Sequence, residues 1–415
     1  MNLELTAKSF KSGQNGTAVR LVGQGPKFAV MSIFCAALAL LSPWSTYLQI
    51  APFTTPVTII VALMTGLMLV RFFRKPVILV ARQDLYLILY VMLVTGSYFW
   101  TLTKVNWGNY IFWWYICVAT YFAAHSAIST AADLRLVNYA FFVGLLITFT
   151  NLQLTFDEWG NSSLRYCVFG HNSNFTAYVL SGGLFLFLVT WIHLGATRTM
   201  VFLLPIWIGM TFYSEILLGT RGAMLSSALT IFVFFLRRFI PNSGLKGIIY
   251  SMVIISLGVA VGFTDFVLSF FDSFGSGRGT GDLSNRGFIW AEAYSYMFSH
   301  PIIGIGPGSF ADISELRAGA HNIFLTIGLD GGLVGILLFG SFIFFYLRNV
   351  LQKALSNREG MVLLAMFSCF WFPIVSSGHW ELAPFSWLLL ALFGRLSSIE
   401  KDRRTVKLRI FTRAT

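Results

Sequence analysis

The stretch Ile323-Phe-Leu-Thr-Ile-Gly-Leu-Asp-Gly-Gly-Leu-Val-Gly-Ile-Leu-Leu-Phe-Gly-Ser-Phe-Ile-Phe-Phe-Tyr-Leu347 sets the fold class. It is longer than the about 20 apolar residues a helix needs to cross a hydrocarbon core. Its one ionisable residue is Asp330, and Arg348 closes it. On either side lie further apolar runs at 28–41, 57–70, 85–101, 110–125, 136–152, 175–193, 201–217, 223–236, 248–263, 361–375 and 382–393. The 415-residue chain is 56% hydrophobic and 11% charged, against roughly 25% charged in a soluble domain, so one aqueous core cannot hide its apolar surface. The expected class is an all-α integral membrane protein with about twelve transmembrane helices and a long loop between the ninth and tenth.

The net charge of +12 raises the question of a nucleic-acid partner, and the placement of the basic residues answers it. With the N-terminus on the cytoplasmic side, the loops and tails on that side collect 23 of the 29 Lys and Arg residues. The opposite side receives Lys104, Arg165, Arg221, Arg278, Arg286 and Arg317. This is the positive-inside asymmetry, and it predicts an even number of spans. The basic excess orients the chain among membrane lipids and implies no nucleic acid. Residues 1–27 are polar and basic, unlike a cleavable signal, and are expected to remain as a cytoplasmic tail. Cys35, Cys117 and Cys369 fall inside apolar runs and Cys167 in a loop, so neither a disulfide nor a zinc site is expected.

Two outer loops are candidates for function, the longer at 264–320 and a second at 155–174. Arg221 opens the eighth run in Leu218-Gly-Thr-Arg-Gly-Ala223, and Arg286 sits in Leu283-Ser-Asn-Arg-Gly-Phe-Ile-Trp290, where Ser284 or Asn285 caps an expected helix. A guanidinium offers a planar fork of donors that suits a phosphate or diphosphate. The competing reading is an anchor to lipid headgroups or a pair with Glu215 or Glu292. His321, at the start of the tenth run, is a near-neutral base able to take a proton from a hydroxyl, or else it caps the helix. Asp330 is either an intramembrane functional carboxylate or an interfacial one, since Gly331 onward is nearly long enough to span alone. No metal-binding or nucleotide-binding motif is present, so no cofactor is expected, and a glycosyl donor on this side would be lipid-linked.

The segments Leu283-Ser-Asn-Arg-Gly-Phe-Ile-Trp290, Ser299-His-Pro-Ile-Ile-Gly-Ile-Gly-Pro-Gly-Ser-Phe310, Ala320-His-Asn-Ile-Phe-Leu325 and Gly331-Gly-Leu-Val-Gly335 resemble the O-antigen ligase and polymerase superfamily of polyprenyl-diphosphate-dependent glycosyltransferases. The motif block covers about 220–340. The resemblance implies that Arg221 and Arg286 hold the donor diphosphate and that His321 acts on the acceptor hydroxyl, without metal. It also implies undecaprenyl-diphosphate-linked O-antigen as donor and lipid A–core oligosaccharide as acceptor. Arg165, Asn174, Asn285, Asn322 and Asp330 are further candidates for substrate contact. The implied location is the bacterial inner membrane with the site facing the periplasm. The chain then divides into a cytoplasmic tail (1–27), nine spans (28–263), a large periplasmic loop (264–320), three spans (321–397) and a basic cytoplasmic tail (398–415). Chain polymerase is the alternative within the superfamily, and a transporter of lipid-linked glycans the alternative outside it. The nearly charge-free spans disfavour a transport passage.

Overall fold

A computed structural model describes residues 26–44, 54–74, 81–156, 164–168, 173–237, 286–354, 358–375, 382–396 and 399. The ninth apolar run, 248–263, lies outside the described residues, as do Ser284 and Asn285. The described α-helices are α1 (Pro26–Leu41), α2 (Pro56–Arg74), α3 (Arg82–Gly96), α4 (Trp107–Ala127), α5 (Ala131–Thr150), α6 (Ser173–Leu194), α7 (Arg198–Leu218) and α8 (Arg221–Leu236). They continue with α9 (Arg286–Ser299), α10 (Ser309–Ile313), α11 (Ile323–Ala354), α12 (Arg358–Val375) and α13 (Pro384–Leu396). Among the described residues, four helical segments are long and apolar enough to cross a membrane: Ala131–Thr150, Asn174–Leu194, Arg198–Leu218 and Ile323–Gln352.

Local sequence accounts for the helix ends. Thr130 and Asp133 start α5 with a reciprocal cap, the Thr130 hydroxyl accepting from the Asp133 amide at 3.2 Å while the Asp133 carboxylate accepts from the Thr130 amide at 2.9 Å. Thr197 caps α7 through the Met200 amide at 3.2 Å, and α7 ends at Gly219 in the left-handed region, φ 63°.

The bundle is organised around α6, whose residues 176–190 are all buried, and which packs against α5, α7, α8, α12 and α13. Such an all-round apolar helix needs small residues where neighbours cross closely. A Cβ on Gly183 of α6 would lie 1.7 Å from the Phe141 ring; where α5 crosses α1, one on Gly144 would lie 2.6 Å from the Leu40 carbonyl oxygen. On the outside, Phe202 is 70% exposed and Leu337 and Phe344 are each 60% exposed. Large apolar side chains turned outward on long helices are what a lipid solvent selects.

Two features differ from the sequence expectation. The all-α class holds with one addition among the described residues: a two-stranded antiparallel hairpin, β1 (Leu152–Phe156) and β2 (Leu164–Val168), lies between α5 and α6, and β2 contacts α6 and α7. Strand pairing satisfies backbone groups in a segment whose few apolar residues give no helical periodicity. The second is a backbone break at Gly332, φ 57° and ψ −152°, inside the apolar run 323–347 and beside Gly331, from which one of the two sequence readings started a shorter span. The loop after α9 satisfies the backbone groups the break exposes. Ile305 donates to the Leu329 carbonyl at 2.7 Å, while Leu333 and Val334 donate to the carbonyls of Pro301 and Ile302 at 2.8 and 3.1 Å. Non-helical backbone within such a run is tolerated only where protein groups replace the lost bonds, as they do here. Asp330 therefore stands at the end of a short half-helix rather than inside a continuous span.

Candidate active site

The starts of α8 and α11 fall toward the same end of the bundle. Arg358, which opens α12, donates through Nε and Nη2 to the Arg237 carbonyl at 3.1 and 2.8 Å, just past the end of α8. Because α11 ends at Ala354, shortly before Arg358, and α12 packs on both helices, the last turns of α8 and α11 lie together. Their first residues, with Arg221 opening α8 and His321 preceding α11, point the other way.

Arg221 is set by the hairpin between α7 and α8. Gly219 donates to the Ile216 carbonyl at 3.0 Å and Thr220 to the Glu215 carbonyl at 3.4 Å, turning the chain in two residues. The Thr220 hydroxyl donates to Asn174 Oδ1 at 3.0 Å, tying the first turn of α6 to the residue before Arg221. Asn174, a sequence candidate, thus has a defined positioning contact. Arg165 lies on β2, paired in register with Thr155, and β2 packs on the same two helices that Asn174 and the hairpin occupy.

Arg286 is the first residue of α9. One turn later, Trp290 donates its indole N–H to the Ala320 carbonyl at 2.9 Å. This bond places the start of α9 beside His321. Of the carboxylates offered by the sequence as structural partners of the arginines, Glu215 is hydrogen-bonded to the Ser227 hydroxyl at 2.7 Å, and Glu292 accepts from the Glu315 amide at 3.1 Å.

His321 has φ 51°, in the left-handed region that costs a β-carbon-bearing residue about 1–2 kcal/mol. The strain is imposed from both sides. Ala320 is held by Trp290, and Asn322 caps α11, its Oδ1 accepting from the Phe324 amide at 2.9 Å and the Leu325 amide at 3.4 Å. The helix-capping role considered for His321 therefore belongs to Asn322. Among the described residues, Arg317 is also non-glycine and left-handed, at φ 49°.

Asp330 is 4% exposed and, with Tyr110, Thr326 and Ala320, lines a small cavity under this end of α11. The loop that carries the Gly-rich motif is clamped by residues 100–106, which sequence reasoning passed over. Trp100 Nε1 donates to the Ile303 carbonyl at 3.2 Å, the Leu102 amide to the Ile305 carbonyl at 3.1 Å and the Thr103 hydroxyl to Asp312 Oδ2 at 3.2 Å, while Asn106 bonds Asp312 Oδ1. The available signal was the set of polar residues Thr101, Thr103, Lys104 and Asn106 between the third and fourth apolar runs.

A helix bundle that turns large apolar side chains outward and has four segments long and apolar enough to cross a membrane has the character of a membrane protein, with the starts of α8 and α11 toward one end. Residues 206–340 match the family model described as O-Antigen ligase, a span that includes Arg221, Arg286, His321 and Asp330 and excludes Arg165 and Asn174. The match supports the O-antigen ligase and polymerase superfamily, the one the sequence motifs resemble. No curated protein matches the chain.

Proposed function

We propose that this protein is an O-antigen ligase of the bacterial inner membrane, transferring O-antigen polysaccharide from undecaprenyl diphosphate to a sugar hydroxyl of lipid A–core oligosaccharide at the periplasmic face. The observation that carries the reading is the Trp290–Ala320 bond, which couples the helix opened by Arg286 to the strained backbone of His321. In this reading Arg286 and Arg221 hold the donor diphosphate and stabilise the charge that develops as the anomeric C–O bond breaks. His321 takes the proton from the attacking hydroxyl, or fixes that hydroxyl for attack on the anomeric carbon. Diphosphate is already a good leaving group, so the chemistry requires no metal.

The test is complementation. A strain lacking its ligase but making lipid-linked O-antigen should regain the lipopolysaccharide ladder when it expresses this chain, and should not regain it with His321→Asn at equal membrane abundance. A wild-type chain that inserts yet gives no ladder, while lengthening the polyprenyl-linked glycan, would make it a polymerase instead.

A further inference from the structure

Glu215 lies in the last turn of α7 and is 0% exposed, and Ser227 is its hydrogen-bond partner at 2.7 Å. Its other oxygen, Oε2, has no partner among the described residues. Ser227 is in turn 3.0 Å from Ser181 Oγ, which is 3.4 Å from the Ala223 carbonyl oxygen. The chain thus runs from carboxyl through two hydroxyls to carbonyl, linking α7, α8 and α6. An ionised carboxylate and a carbonyl only accept, and two hydroxyls supply one hydrogen each, so two hydrogens would have to serve three links. One further proton, on Glu215, completes the chain: Glu215 donates to Ser227, Ser227 to Ser181 and Ser181 to Ala223. Burying an unpaired carboxylate costs several kcal/mol in an apolar medium, so neutralisation is also the inexpensive state.

We propose that Glu215 is held as the neutral acid and is a positioning residue for the hairpin that carries Arg221. The proposal builds on the donor-binding reading of Arg221. The Glu215 carbonyl already accepts from Thr220, so side chain and backbone of one residue fix the turn from both sides. Two residues beyond Arg221 stands Ala223, the last acceptor of the chain. Between them, Gly222 packs so closely on α6 that a Cβ there would meet Tyr178 Oη at 2.4 Å. The proton chain holds α6, α7 and α8 at the separation this contact demands.

Two measurements on the full-length protein in lipid nanodiscs test the proposal, and the first needs no turnover. The infrared difference between wild type and Glu215→Gln at neutral pH should contain the C=O stretch of a protonated carboxylic acid. Only a carboxylate difference would overturn the neutral acid, whatever the enzyme does. The second is kinetic, with undecaprenyl-diphosphate-linked O-antigen as donor. Glu215→Met, which keeps the volume and removes the proton, should raise the donor KM at least about tenfold with little change in acceptor KM, and Ser227→Ala should act in the same direction. Glu215→Gln, neutral and still a donor, should restore donor KM to within about threefold of wild type. An unchanged donor KM in folded Glu215→Met, or a Gln variant as impaired as Met, would overturn the positioning role. Wild-type protein with no transfer at all would instead undo the functional reading, leaving the infrared result to judge the proton.

Discussion

Replacing His321 with glycine separates what this residue costs the fold from what it does for the reaction. At φ 51° the histidine carries about 1–2 kcal/mol of backbone strain that glycine does not. Glycine gives back about 0.5–1 kcal/mol through the greater freedom of its unfolded chain. The α11 cap is unaffected because Asn322 provides it. Stability should therefore lie between that of wild type and about 1.5 kcal/mol above it, and the apparent Tm in detergent should not fall by more than about 3 °C. Transfer should drop about 10²–10⁴-fold, the usual contribution of a general base, while donor binding persists. His321→Asn, which also tolerates the left-handed region, should behave alike. Thermal unfolding and product formation measured on the same reconstituted sample decide the matter. A folded glycine variant with more than about a tenth of wild-type turnover would refute the catalytic role, and a Tm collapse would refute the strain argument.

Arg221→Ala and Arg286→Ala should each raise donor KM sharply in inserted protein, and lysine should rescue only in part because a point charge lacks the planar fork; full activity in both alanine variants would return them to lipid anchoring. Trp290→Phe keeps the ring but removes the N–H that holds Ala320, so turnover should fall about tenfold or more with a stability loss near 1 kcal/mol, checked by kcat and Tm together. Gly332→Ala places a Cβ 2.5 Å from the Ile302 carbonyl carbon and oxygen and 2.6 Å from the Gly304 amide nitrogen, and should lower the apparent Tm by the equivalent of about 2 kcal/mol or more; a neutral variant would mean the break in α11 is not fixed by that crossing. Single cysteines in loops 155–174 and 264–320 should react with an impermeant thiol reagent in intact spheroplasts, whereas cysteines at 71–82, 237–246 and 348–358 should not.

Helix positions were legible because lipid exposure demands apolar runs, and the ends at Arg221 and Ser299 follow from glycine and proline neighbours. A span starting near Gly331 was legible, but the contact that breaks the backbone at Gly332 was not. Its backbone needs are met by Pro301, Ile302 and Ile305, some 30 residues earlier, and a composition that stays apolar across Gly331-Gly332 gives no local sign of that contact. The same holds for Trp290, which reads as another apolar helix residue until the chain folds and its N–H meets Ala320. Asn322 and His321 could not be separated as cap and base in sequence, since either suits a helix start. Backbone geometry divides the roles, with the cap bonds on one and the strain on the other. Strand β1 carries an alternating pattern, Leu152-Gln-Leu-Thr-Phe156, but five residues next to a long apolar run were too few to mark a strand.

The central claim is that this chain joins a polyprenyl-linked glycan to a lipid A–core hydroxyl using its own arginines and histidine. The most direct measurement is reconstitution of purified protein in liposomes with undecaprenyl-diphosphate-linked O-antigen and lipid A–core, in the presence of a chelator, with products resolved by mass. The expected result is a new covalent species carrying O-antigen on the core and stoichiometric release of undecaprenyl diphosphate, lost in His321→Asn. Unmodified core, or transfer that vanishes with the chelator, would contradict it.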